Sequence, residues 1–219
     1  VFLSQDWKFT APVYIGDTII GTAEVLSVHD SKPVCRLRMK VERDDGETVL
    51  EGEAWCYRFL VEDEDWIISA GSRKARDLCA SADLAVVLDT GEIPRIGRVQ
   101  DMIRDLTTVV IDHHPPGDHA LGGISLRDAT ACATGELVYD VILAAKGPWS
   151  RHVADGIYVA IMTDTGGFRF DNATASCHRV ASEVIELGVK PDEMHERVYG
   201  SAPLRKYRLL KHALDTLEH

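Results

Sequence analysis

The stretch Val109-Val110-Ile111-Asp112-His113-His114 constrains the fold more than any other, because an apolar run of strand length breaks directly into an acid and two imidazoles. A strand with one wet face alternates apolar and polar residues, whereas an unbroken apolar run predicts a strand inside a sheet. Two adjacent imidazoles at its end have few structural uses, since a core rarely supplies hydrogen-bond partners for both. They mark a candidate site at the carboxyl end of a strand, where open α/β sheets gather their functional loops.

The neighbouring sequence repeats this plan. Leu84-Ala85-Val86-Val87-Leu88 is a second continuous apolar run, expected to be covered on both faces, and it ends in Asp89. Residues 99–106 predict a short helix leading into the strand 107–111. Residues 134–145 place Leu137, Val138, Val141 and Ile142 on one helical face, with Gly147 as the stop. Val153, Ile157, Ala160 and Ile161 recur at helical spacing, so residues 154–162 predict a helix that delivers Asp164 at its end. Asp164 sits in Thr163-Asp164-Thr165-Gly166-Gly167, whose glycines permit a tight turn. Thr174 or Ser176 can cap a further helix running to Gly188, Pro191 opens another, and 203–217 reads as helix with a modestly basic face. Asp171-Asn172 reads as an ordinary turn, and the other seven histidines as surface or core residues. Strands alternating with helices predict an α/β fold, a mostly parallel sheet with flanking helices.

Before about residue 60 the hydrophobic period is near two, as in Leu37, Met39 and Val41 set against Arg36, Arg38 and Lys40. Asp44-Asp45-Gly46 is a hairpin signal and Ile15-Gly16-Asp17 an earlier turn, so this part predicts an antiparallel sheet. The expected organisation is a β segment at 1–62, a junction at 63–82 with the acidic run 62–65 across its start, and the α/β part at 83–219.

Composition narrows the chemistry. A formal charge of −11 over 219 residues repels a nucleic-acid backbone, which disfavours stable binding of duplexes and leaves small phosphates open. Five scattered cysteines with no CxxC pair predict free thiols in a reducing cytoplasm, and no apolar run is long enough to predict a membrane span. Two carboxylates and an imidazole converging from Asp89, Asp112-His113-His114 and Asp164 suit Mn²⁺, with Mg²⁺ or another divalent cation as alternatives.

Two resemblances follow. Phe2-Leu3-Ser4-Gln5, Phe9, Pro12-Val13, Gly16-Asp17-Thr18-Ile19, Gly46, Gly52 and Ala54 resemble the second half of a MaoC-like hot-dog domain over about sixty residues. The hydration chemistry of that family sits on an earlier segment, so these strands are expected to be scaffold. From about Asp83 to Glu218 the chain resembles the DHH phosphoesterase superfamily, particularly the small members that cleave oligoribonucleotides or 3′,5′-bisphosphate nucleotides, and its cyclic dinucleotide hydrolases. The matching residues are Val87-Leu88-Asp89-Thr90 with Arg95-Ile96-Gly97, Ile111-Asp112-His113-His114, Ala133-Thr134-Gly135-Glu136-Leu137-Val138, and Tyr158 to Gly166 with Phe168.

That resemblance implies metal-dependent hydrolysis of a small nucleotide or oligonucleotide phosphate. It makes Asp89, His113 and Asp164 metal ligands, turns His114 toward the phosphate, and gives Asp112 the role of orienting the imidazoles. The His-x-x-x-Asp-x-Asp loop of the family, which supplies most ligands of one of two metals, is not read in this sequence, and neither is its C-terminal substrate domain. The expectation is therefore at most one well-held cation and impaired turnover, in a chain recombined from two families. The rival readings are a non-catalytic protein with a vestigial metal site, and an acyl-thioester-binding hot-dog module that forms a homodimer through its sheet.

Overall fold

The structure, a computed structural model, describes residues 2–14, 16–28, 34–57, 60, 67–200 and 211. The acidic run 62–65 and, apart from Lys211, the helix expected at 203–217 lie outside the described residues. The chain divides into two compact units, Val1–Leu60 with Asp192–His219, and Val61–Pro191.

In the first unit, β1 (Phe2–Phe9), β2 (Ile19–Val28), β3 (Val34–Arg43) and β4 (Thr48–Tyr57) form the expected antiparallel sheet, in the order β1-β4-β3-β2. The β3–β4 hairpin turns at Asp44-Asp45-Gly46, where Gly46 has φ 84°. Register sets Leu37, Met39, Val41 and Leu50 on one face and Arg38, Lys40, Glu51 and Glu53 on the other. The polar face is laced by ion pairs of Lys8 with Glu51, Arg38 with Glu24, Lys40 with Glu42 and Arg36 with Glu53. The same unit holds the residues of α7 (Pro191–His195) from Asp192 on, and a single π-helical turn, Glu196–Gly200.

The second unit is α/β. It runs α1 (Arg73–Ser81), β5 (Leu84–Leu88), α2 (Ile93–Ile96), α3 (Val99–Ile103), β6 (Thr107–Asp112), β7 (Ile124–Arg127), α4 (Thr134–Ala144), α5 (Arg151–Asp164) and α6 (Ala175–Glu186). All three strands are parallel, in the order β5-β6-β7. Side-chain caps start the helices where the sequence offers them: Ser72 on Ala75, Ser150 on Val153 and Thr174 on Cys177. Helix α5 begins three residues earlier than its apolar spacing indicates, because Ser150 caps it.

The core lies where α4 packs on β6, α5 on α4 and α6 on α5. Val110, Ile111, Cys132, Ala133, Ile157, Ile161 and Val184 are buried there, each aliphatic side chain contributing about 1.5–3 kcal/mol. Gly135 makes the α4–α5 crossing close, since a Cβ there would stand 2.8 Å from that of Ala160.

The expectation that β5 is covered on both faces is not met. Leu84, Val86 and Leu88 are exposed while Ala85 and Val87 are half-buried. The reason is position: among the described residues β5 is an edge strand, and α4 packs on β6. Val141, expected on the buried face of α4, is likewise exposed. Strand β7 was not anticipated; it is four residues long with three of them exposed, too short and wet to show an apolar run.

Candidate metal centre

The ends of two strands and a helix converge in the second unit. Strand β5 stops at Asp89, whose φ of 64° turns the chain sharply while its N–H donates to the Ile111 carbonyl at 3.0 Å. Aspartate is one of the few L-residues that enters this left-handed region readily. Strand β6 ends at the buried Asp112 and hands on to His113 and His114. Helix α5 ends at Asp164, and the chain then reverses through Gly166 (φ 59°), Gly167 (φ 73°) and Phe168 (φ 63°). Buried Thr165 builds that reversal: its hydroxyl donates to the Ile161 carbonyl and accepts the Phe168 N–H.

His113 is the hub. Its Nε2 lies 3.7 Å from Asp89 Oδ1 and 3.7 Å from Asp164 Oδ2. Its Nδ1 is 3.3 Å from the Ala131 carbonyl, an acceptor only, so Nδ1 carries a proton there and Nε2 faces the two acids. Asp112 does not reach His113. Its Oδ1 accepts both the backbone N–H of His114 at 3.1 Å and His114 Nδ1 at 2.7 Å. The orienting partners of the two imidazoles are therefore different, a carbonyl for one and a carboxylate for the other.

Electrostatics divide the acids. Burial pushes the Asp112 carboxyl up, but the His114 hydrogen bonds and the nearby His114 and Arg127 charges outweigh it and hold the group below the usual carboxylate range. Asp164 moves the other way: burial and then repulsion from Asp89 raise it, against attraction to His113 and His114. A raised carboxyl facing another acid and an imidazole is the charge pattern that a cation would relieve.

Asp89, His113 and His114 each offer a ligand atom, all within 4.8 Å of one another. A divalent cation bonded at about 2.1 Å spans opposite donors about 4.2 Å apart, so small side-chain rotations close this set. Asp164 stands 3.7 Å from His113 on the same hub. The donors are oxygen and nitrogen; the thiol of Cys132, behind the loop, is buried and pushed strongly up by that burial, which leaves it neutral. The residues thus fit a borderline or hard divalent cation.

Four contributors escaped the sequence reading. Glu92 accepts the N–H groups of Gly117 and His119 and pairs with Arg127 at 3.2 Å, and Arg127 Nε approaches Asp112 Oδ2 at 4.0 Å. Those N–H bonds, with Arg127, hold Glu92 below the usual range although its desolvation works the other way. Asn172, read as a turn residue, donates its amide to the carbonyls of Cys132 and Asp164, each at 3.2 Å, and so ties the loop before α4 to the end of α5. Thr134, quoted above only as part of a motif, touches both Asp89 and His113.

The DHH family, N-terminal domain, matches residues 16–161, more than half of the chain. The chain belongs to the DHH family. It is 32% identical over 160 residues to the bifunctional oligoribonuclease and PAP phosphatase NrnA of Thermus thermophilus, covering 73% of this chain and 46% of that protein. An exopolyphosphatase-related protein from Bacteroides fragilis has a similar solved structure, with TM-score 0.63, 25% identity, and coverage of 71% of this chain and 47% of that one. A 56-residue stretch is 38% identical to the 3-hydroxyacyl-[acyl-carrier-protein] dehydratase FERN of Solanum lycopersicum, covering 25% of this chain and 34% of that protein. The chain spans less than half the length of each of these. No described helix is long and apolar enough to cross a membrane.

Proposed function

We propose that the second unit carries the metal centre of a phosphoesterase acting on small nucleotides, with Asp89, His113 and Asp164 as ligands of a divalent cation, Mn²⁺ in the first instance. The observation that carries this reading is the convergence of His113 Nε2 on Asp89 and Asp164, with its other nitrogen already satisfied. The NrnA relative, named for oligoribonuclease and PAP phosphatase activity, supports a substrate that is a short oligoribonucleotide or a 3′,5′-bisphosphate nucleotide. Residues 1–62 then act as scaffold, 63–82 as junction and 83–219 as the DHH part.

A bound cation would supply an acidified water and neutralise charge on the phosphoryl oxygens. The chain's own groups do the rest. Asp112 holds the Nδ1–H of His114, which turns Nε2 toward the phosphate, where the protonated ring would give its Nε2 proton to the leaving ester oxygen as the P–O bond breaks. The two His114 hydrogen bonds, with Arg127 braced by Glu92 behind them, hold the buried Asp112 below the usual carboxylate range, and Asp112 in turn keeps His114 in one orientation. The acidic surface is no obstacle, since the cation inverts the field at the site.

The test is hydrolysis of a 3′,5′-bisphosphate nucleotide and a short oligoribonucleotide under Mn²⁺ titration. His113→Ala and Asp164→Ala should lower turnover by more than the roughly 10–100-fold that loss of an outer contact causes. Turnover indifferent to both substitutions sinks the assignment.

A further inference from the structure

We propose that the Thr134 hydroxyl is a positioning group that fixes Asp89 and His113 relative to each other and so sets the affinity of the metal centre. This rests on the reading of Asp89 and His113 as ligands given above.

A hydroxyl has one proton to give and two lone pairs to receive with. Thr134 Oγ1 gives its proton to Asp89 Oδ1 at 2.7 Å and receives the His113 backbone N–H at 3.3 Å. One atom thereby joins the ends of β5 and β6, elements 45 positions apart from Thr134 in one case and 21 in the other. The ordinary use of threonine at a helix start is to cap an N–H of its own helix. Here Ala133 is the capping residue and makes no side-chain cap bond, and the Thr134 hydroxyl turns to the strand ends instead. Thr134 is only 6% exposed, so the bond to Asp89 forms largely out of water.

Asp89 needs such a restraint. Its side chain is 61% exposed, and its backbone turns out of the strand with a positive φ. A carboxylate in that setting explores several rotamers unless a donor fixes it. The bonded Oδ1 is also the oxygen 3.7 Å from His113 Nε2, so the Thr134 hydroxyl aims that oxygen at the hub while a second lone pair on it stays available to a cation. The β-branch of threonine limits χ1, so the donor is itself held still. Its acceptor side, bonded to the His113 N–H, fixes the start of the loop from which the imidazole projects.

The experiment is Mn²⁺ binding by calorimetry on wild type, Thr134→Val, Thr134→Ser, Thr134→Ala and Asp89→Asn, each checked for unfolding temperature in chelator. Valine keeps the shape and removes the hydroxyl, and should weaken Mn²⁺ binding about 10–100-fold. Serine restores the oxygen and should bind within about threefold of wild type, while alanine, one oxygen short of serine, should match valine. If valine is too unstable to measure, the serine–alanine difference decides. Wild-type affinity in Thr134→Val, or equal affinity in serine and alanine, overturns the proposal. Asp89→Asn separates the two levels: if it abolishes binding while Thr134→Val does not, only the positioning role falls. If Asp89→Asn leaves binding unchanged, the ligand assignment falls and the Thr134 role with it.

Discussion

The two units handle charge in opposite ways. On the antiparallel sheet, acids and bases alternate across strands and neutralise each other in the open: Arg38 and Glu24 are 57% and 56% exposed as they pair. At the ends of β5, β6 and α5, like charges are brought together instead, Asp89 and Asp164 both 3.7 Å from one imidazole nitrogen, with burial raising the Asp164 carboxyl. Exposed pairs of the first kind add little stability because water already solvates both partners. The second arrangement costs stability in the metal-free protein, and such costs concentrate at functional sites. Charge density alone therefore says little about function; convergence of unneutralised charge at strand ends says much more.

The comparison can be broken at several points. The largest effect on stability belongs to Asp112→Ala, which removes a buried acceptor of two His114 hydrogen bonds and leaves Arg127 with Glu92 alone. Breaking such a group should cost about 3 kcal/mol in urea unfolding. Gly135→Ala comes next. Its methyl would meet Ala160 at 2.8 Å and force α4 from α5, for about 1–3 kcal/mol.

Asp164→Asn gives a smaller effect with a distinctive sign. A carboxyl raised in the folded state favours folding below its unfolded pKa and loses that advantage as pH rises through the folded one. The metal-free Asn variant should therefore melt above wild type at pH 7, and the gap should shrink on acidification toward about pH 4. Added Mn²⁺ should reverse the order, since only wild type gains stability from binding. The smallest effect is expected on the sheet, where Arg38→Ala should change unfolding free energy by less than about 0.5 kcal/mol.

What the sequence made legible follows the range of the forces. Period-two alternation, the apolar runs ending in Asp89 and Asp112, and the helical spacing before Asp164 are local, and each element formed where its pattern stood. The coverage of β5 was not local: an apolar run records which residues tolerate burial, and an edge position left three of the five exposed. The supports of the site were invisible for the same reason. Glu92 and Arg127 are 35 positions apart, Asn172 and Cys132 are 40, and Thr134 and Asp89 are 45. Nothing in a glutamate, an asparagine or a threonine announces such a partner until the chain has folded.

The measurement closest to the central claim is an anomalous difference map from a crystal soaked in Mn²⁺. The account predicts a manganese peak bonded to Asp89, His113 and Asp164. A soaked crystal with no peak there, or with manganese bound only on the exposed acids of the antiparallel sheet, would contradict it.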